Sequence, residues 1–217
     1  MKKWNDFGCE LGRSMIEMLG VLAIVGILSV GGISAFQKAM SKHKINQVTE
    51  ELSQFINELL RYSKDFRGEV EGKASSEYKE ITSMLDFFVS SKWVRKGNYI
   101  YDSQGNRFIV AVRTAGRPVK KYMSLSYRFF ERGERAKVDL CMAYYEMLKS
   151  YADSVSHISL WRVDSEDSQA TVAVYGNAYC GGGKKCLKDL TLGEMREKCS
   201  WFEGDDKNCS FAIFFPI

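Results

Sequence analysis

"GRSMIEMLGVLAIVGILSVGG", residues 12–32, decides the fold of this chain. From Met18 to Gln37 no residue carries a charge, a run of twenty. About 20 mostly apolar residues in a helix are enough to cross the ~30 Å hydrocarbon core of a bilayer. The run therefore predicts a membrane-spanning helix, but its mouth is unusual. Glu17 stands where the apolar stretch begins, and Gly12-Arg13 lies just before it. A carboxylate at membrane depth is costly and marks function by default. The i,i+4 spacing from Arg13 to Glu17 offers the plainer alternative of an ion pair along one helix.

Upstream, Lys2 and Lys3 give a basic start, as in a secretory signal. Gly32-Ile33-Ser34 supplies a small-x-small site, so release after Ser34 is one reading. The apolar core is longer than a signal peptide needs, and the chain beyond it does not become a loop. Ile45, Val48, Leu52, Phe55, Leu59, Tyr62 and Phe66 recur at alternating steps of three and four, with Lys44, Gln47, Glu50, Glu51, Gln54 and Glu58 between them. That is an amphipathic stripe. No proline occurs before Pro118. One helix from about Ser14 to Phe66 is predicted, roughly 80 Å long at 1.5 Å per residue. Its stripe is expected to pack on the chain's own domain rather than in a coiled coil.

Further along, Tyr78, Ile81, Leu85 and Phe88 predict a short helix over residues 76–90. The period then shortens. "YIYDSQGNRFIVAVR" (99–113) reads as a hairpin about Asp102–Asn106, and "YMSLSYRF" (122–129) as a half-buried strand. "AKVDLCMAYYEMLKSYA" (136–152) sets Val138, Cys141, Tyr145 and Leu148 on one helical face. "HISLWRV" and "ATVAVYG" flank a polar DSEDS turn, Gly181–Gly183 mark a loop, Thr191–Cys199 a short helix, and "FAIFFPI" a closing strand. The fold class is α+β: a long N-terminal helix, half membranous and half amphipathic, packed on an antiparallel sheet domain with a cysteine-rich end.

Of six cysteines, Cys180, Cys186, Cys199 and Cys209 crowd the last forty residues, and Cys141 lies upstream. Export past a membrane segment favours disulfides, and these five are the candidates. Four cysteines alone allow three pairings, and Cys141 reads equally as a core residue or as a partner of the tail. With Cys9 set aside the count is odd, so one thiol stays outside the bridges. The C-x5-C and C-x9-C spacings do not suit structural zinc. Net charge is +4, with 31 basic and 27 acidic residues, too mild a balance to argue for nucleic acid. His43 and His157 have no partner at a catalytic spacing, and "CGGGKKC" lacks the G-x4-G-K-[ST] register of a phosphate loop. Trp93, Trp161 and Trp201 suit a core or the lip of a binding face. No catalytic residue, cofactor or metal is expected, and the chain is not read as an enzyme.

"GRSMIE" followed by the apolar run resembles the N-terminus of type IV pilins and type II secretion pseudopilins. In outline, the α+β domain with its late cysteines looks most like the longer type IVb pilins. The resemblance implies a leader, residues 1–12, removed by a prepilin peptidase between Gly12 and Arg13, with N-methylation of Arg13. It implies that Glu17, the fifth mature residue, serves assembly. It divides the remainder into a transmembrane or filament-core half-helix (13–37), an amphipathic half-helix (38–67) and a globular domain (68–217). The implied partners are copies of itself or related subunits, the peptidase, an inner-membrane assembly machinery and, before assembly, membrane lipid. The implied location is a bacterial inner membrane, then a periplasmic or surface filament. The sequence departs from the family pattern in two places: Arg13 stands where a large apolar residue is usual, and the apolar helix has no proline, though Gly31-Gly32 gives a comparable weak point. Small residues (Gly20, Ala23, Gly26, Gly31, Ala35) suit close helix approach. The competing readings are an uncleaved, membrane-anchored binding or adhesion module, and a secreted enzyme released at Ser34.

Overall fold

In the computed structural model, residues 11–85, 92–129, 134–163, 168–203 and 209–217 are described, those at 11–14, 134–135, 162–163 and 168–173 by backbone alone. Lys2, Lys3, Cys9 and the rest of the expected leader up to residue 10 lie outside them, as do residues 164–167 of the polar turn. The chain divides into two compact units, Met1–Lys44 and Ile45–Ile217.

A single helix, α1, runs from Leu11 to Arg61. From residue 48 onward its stripe is core: Val48, Leu52, Phe55, Ile56 and Leu59 are all buried. The helix stops five residues short of the expected Phe66. There the chain tightens into a 3-10 turn, Asp65–Glu69. The Lys121 ammonium donates to the carbonyls of Val70 (2.6 Å) and Arg67 (3.0 Å), pinning that turn to the strand that carries Lys121. Phe66 is buried all the same.

Eight strands form one antiparallel sheet: β1 (Tyr78–Glu80), β2 (Val94–Lys96), β3 (Tyr99–Tyr101), β4 (Arg107–Ala115), β5 (Lys120–Arg128), β6 (His157–Val163), β7 (Ser168–Tyr175) and β8 (Cys209–Pro216). Their order is β2-β3-β4-β5-β8-β6-β7, with β1 also paired to β4. Thus β8, last in sequence, lies between β5 and β6 and joins the meander β2–β5 to the hairpin β6–β7. Helices α2 (Glu134–Leu148) and α3 (Leu192–Cys199) complete the unit. Thr191 caps α3 through a reciprocal pair with Glu194, each holding the other's backbone N–H.

The helix expected over 76–90 is not formed within its described part, which ends at residue 85. Instead β1 pairs with β4, Tyr78 opposite Arg113, and a 3-10 turn follows at Thr82–Met84. Side chains take over backbone hydrogen bonds here: Glu77 accepts from the N–H groups of Gly72, Lys73 and Ala74, and Thr82 Oγ1 accepts from Val110 N–H. Polar side chains that bond nearby backbone compete with helix in this way. Ile81 and Leu85 are buried but Tyr78 is exposed, and Phe88 lies outside the described residues, so the spacing found two buried positions and the wrong element.

Alternation assigns the two faces of the sheet. Phe108, Tyr127, Phe211 and Leu160 make one row across β4, β5, β8 and β6, and Val110, Leu125, Ile213 and Ile158 the next. All eight are buried, and α1 and α2 pack on them. Phe55 of α1 meets Phe108 at 5.0 Å between ring centres; Tyr144 and Tyr145 of α2 meet Tyr127 and Phe211, also at 5.0 Å. Such offset and edge-on pairs add about 0.5–1.5 kcal/mol each beyond their buried area. Gly176, after β7, has no room for a side chain: a Cβ there would strike the carbonyl oxygens of Val155 and Ala152.

Candidate functional site

The sequence points to the start of α1. Gly12 and Arg13 lie in its first turn, and Glu17 about one turn further on. Every large apolar residue from Met15 to Phe36 is exposed, Ile27 to 74 %. Soluble proteins rarely expose a contiguous apolar patch of this kind, and a helix apolar all round belongs in a core or a membrane. The only polar side chains in the run up to Ser34 bond back to their own helix: Ser29 Oγ donates to Val25 O (2.7 Å) and Ser34 Oγ to Gly31 O (3.0 Å). At Gly20, Gly26, Gly31 and Gly32 nothing lies within 4 Å of a notional Cβ, leaving flat places where another backbone can approach. Among the described residues this is the one helix long and apolar enough to span a membrane, and its apolar stretch has none of the burial that marks a soluble core helix. The helix is thus compatible with membrane insertion.

Within the globular unit, α1 is fixed by a buried acid that the sequence shows only as one of several polar residues between stripe positions. Glu51 accepts hydrogen bonds from Trp93 Nε1 (2.7 Å), Gln47 Nε2 (2.9 Å) and Ser103 Oγ (3.0 Å). Burial alone would raise its carboxyl, but these donors, Trp93 first, outweigh burial and hold it below the usual range. Next to it, Asp102 accepts from the N–H groups of Gln104 and Asn106 and from the Tyr127 hydroxyl, which closes the β3–β4 turn. Trp93 is therefore core, packed at 5.1 Å on Phe55.

No family model, curated protein or solved structure matches the chain significantly. Its function must therefore be argued from its own geometry.

Among the described residues the cysteines form two bridges. Cys141–Cys199 ties α2 to α3, and Cys180–Cys186 closes the glycine loop. Cys209, also a candidate, belongs to neither: it opens the central strand β8 and is buried in the sheet. The closed loop also meets the sheet's edge, since Tyr175 of β7 bridges Cys186 in parallel.

One feature was missed in the sequence: the face of the sheet turned away from α1 and α2. Outward positions place Arg107, Arg128, Ser210 and Trp161 in one row, and Ala111, Ser124, Phe214 and His157 in another. The His157 ring stacks on Phe214 at 4.1 Å. Burial, then the charges of Arg113 and Lys184, push its pKa down to about 4. The folded state thus favours neutral imidazole, and this contribution is complete above the ordinary pKa of 6.5 and lost as pH falls from there toward 4. The melting temperature should drop across that interval, and the drop should be smaller in His157→Gln. Circular dichroism melts at closely spaced pH values check this, and equal slopes in the two proteins would refute it.

Proposed function

We propose that this chain is a pilin-like subunit of a bacterial type IV filament. It is made as a membrane-anchored precursor, cleaved between Gly12 and Arg13, and assembled through α1. The observation that carries this reading is the exposure of every large apolar side chain from Met15 to Phe36 on the same helix whose later residues, Val48 to Leu59, are built into a globular core. In lipid that surface is solvated by acyl chains. In a bundle of like helices it is solvated by its neighbours, so transfer between the two costs little hydrophobic free energy. Glycines at positions 20, 26 and 31 let the helices come close. The role is structural, and no step of it requires a catalytic group.

Cleavage exposes an α-amino group on Arg13, with an ordinary pKa near 8. Glu17 of an incoming subunit can neutralise the amine of the subunit ahead of it, which removes two charges from an apolar setting at once. Intact mass and N-terminal sequencing of the protein taken from membranes test the proposal. A chain starting at Arg13 is the expected result. A start at Met1 would identify an uncleaved anchor carrying a binding domain, and a start at Ala35 a secreted product; either outcome removes the filament reading.

A further inference from the structure

α1 leaves its apolar run through a stretch that carries lysines and no acid. Lys38, Lys42 and Lys44 follow Gln37, with His43 among them, and from Met18 to Thr49 there is no aspartate or glutamate. All four side chains are exposed, and among the described residues none of them makes a hydrogen bond or an ion pair. We infer that the three lysines form a collar that binds the phosphate groups of anionic phospholipids where α1 leaves the membrane. The inference rests on α1 spanning a bilayer, which the filament and the uncleaved-anchor readings share.

Depth along the helix is the first argument. The uncharged run Met18–Gln37 rises about 30 Å, the thickness of the hydrocarbon core. Headgroups add roughly 5–8 Å on each side of that core. From Lys38 to Lys44 the helix climbs about 9 Å more. With the apolar run centred in the bilayer, the lysines therefore stand at the level of the phosphates. α1 continues unbroken through the stretch, so the spacing is set by the helix itself. Lys44 ends the unit Met1–Lys44, and all three lysines thus lie outside the globular core.

Their placement around the helix is the second. Each residue turns the helix by about 100°. Lys38 and Lys42 share one side, whereas Lys44, two residues further on, lies on nearly the opposite side. A partner helix meets α1 along one side, but the headgroup layer surrounds it. Cations on opposite sides fit the layer. Exposed Phe36 and Met40 give the lysine stems apolar surface to lie along while the ammonium groups reach the phosphates.

Charge selects the lipid. An ammonium is a compact cation with three donors, suited to a phosphate met from any direction. A zwitterionic headgroup brings its own cation and gains little from the collar, so a lipid of net negative charge is favoured. Each lysine near an anionic surface is worth a factor of about five in affinity.

Electron spin resonance of the full-length chain in phosphatidylcholine vesicles tests the collar, with spin-labelled phosphatidylglycerol or phosphatidylcholine as the probe. Lipid held at the protein gives a motionally restricted signal, whose share measures relative affinity. Phosphatidylglycerol is expected to associate at least fivefold more strongly than phosphatidylcholine. Changing Lys38, Lys42 and Lys44 together to Gln should bring the two probes within twofold, and changing them to Arg should keep the preference. About 1 M sodium chloride, where the screening length falls to about 3 Å, should at least halve it. An unchanged preference in the Gln variant would overturn the collar, and weaker cross-linking between copies of that variant would then assign the lysines to a second copy. Loss of the preference in inorganic phosphate, but not in chloride of equal ionic strength, would mark a free-phosphate site and overturn the lipid assignment. No restricted signal with either probe would show that α1 does not span the bilayer, and would remove the membrane reading along with the collar.

Discussion

Replacing Glu17 with alanine is expected to abolish entry of this chain into filaments while leaving the melting temperature of the globular unit unchanged. Glu17 lies in the unit Met1–Lys44, whereas the packed core is made by residues from Val48 onward, so the domain has nothing to lose from the change. Assembly has much to lose. Removing one member of a buried ion pair typically costs about 3–5 kcal/mol, because the other charge is left in an apolar setting. At 1.4 kcal/mol per decade that is a factor of roughly 10² to 4 × 10³ in subunit association. Membrane insertion moves the other way, since the variant loses a charge at the mouth of its apolar helix. Electron microscopy of surface filaments, with cell fractionation to show the precursor in the membrane, reads both effects. Normal filaments from Glu17→Ala would remove the assembly role, whereas membrane-held precursor without filaments is the expected result.

The second large effect concerns the two disulfides, which should not be equal. A cross-link stabilises by restricting the unfolded chain, more so for longer loops. Cys141 and Cys199 are 58 residues apart, Cys180 and Cys186 six. Chain entropy then assigns about 4 kcal/mol to the first and about 2 kcal/mol to the second. For a domain of this size 1 kcal/mol moves the melting temperature by about 2–4 °C, so the double change Cys141→Ala with Cys199→Ala should lower it by about 8–16 °C. Cys180→Ala with Cys186→Ala should lower it by about half as much. Both cysteines of the first pair are fully buried, so losing their sulfurs adds a packing cost to the entropic one. Calorimetric melts of the two double variants decide it; equal shifts, or a larger one for the short loop, would contradict the ranking.

Much of this was legible in the sequence because it rests on local pattern. Twenty uncharged residues announce α1, and alternating steps of three and four from Ile45 to Leu59 announce which side of it is buried. "SQGN" marks a turn, and "YMSLSYR" alternates as a strand should. The failures share a cause. Tyr78, Ile81 and Leu85 fit a helical period, yet a strand followed by a 3-10 turn buries Ile81 and Leu85 and leaves Tyr78 exposed, and only pairing with β4 distinguishes the two. Cys199 has three nearer cysteines in sequence and bonds to Cys141, because α2 and α3 meet in space. On the outward face Arg107 meets Arg128 through the local β4–β5 hairpin, but Ser210 and Trp161 join their row only because β8 reaches the middle of the sheet, a long-range fact no window of residues contains.

The place of β8 also sets the order in which the molecule can be finished. The strands β2–β5 make one antiparallel run and β6–β7 another, and neither touches the other until residues 209–216 pair with both. A chain completed from its N-terminus onward therefore holds two open sheet edges until its last strand arrives. Through that interval, the inward faces of Tyr127, Leu125, Leu160 and Ile158 have no Phe211 or Ile213 to close against. The vulnerable moment in the life of this protein is thus the delay before its final strand is released, and a protease or chaperone that reads unfinished sheets would meet it then.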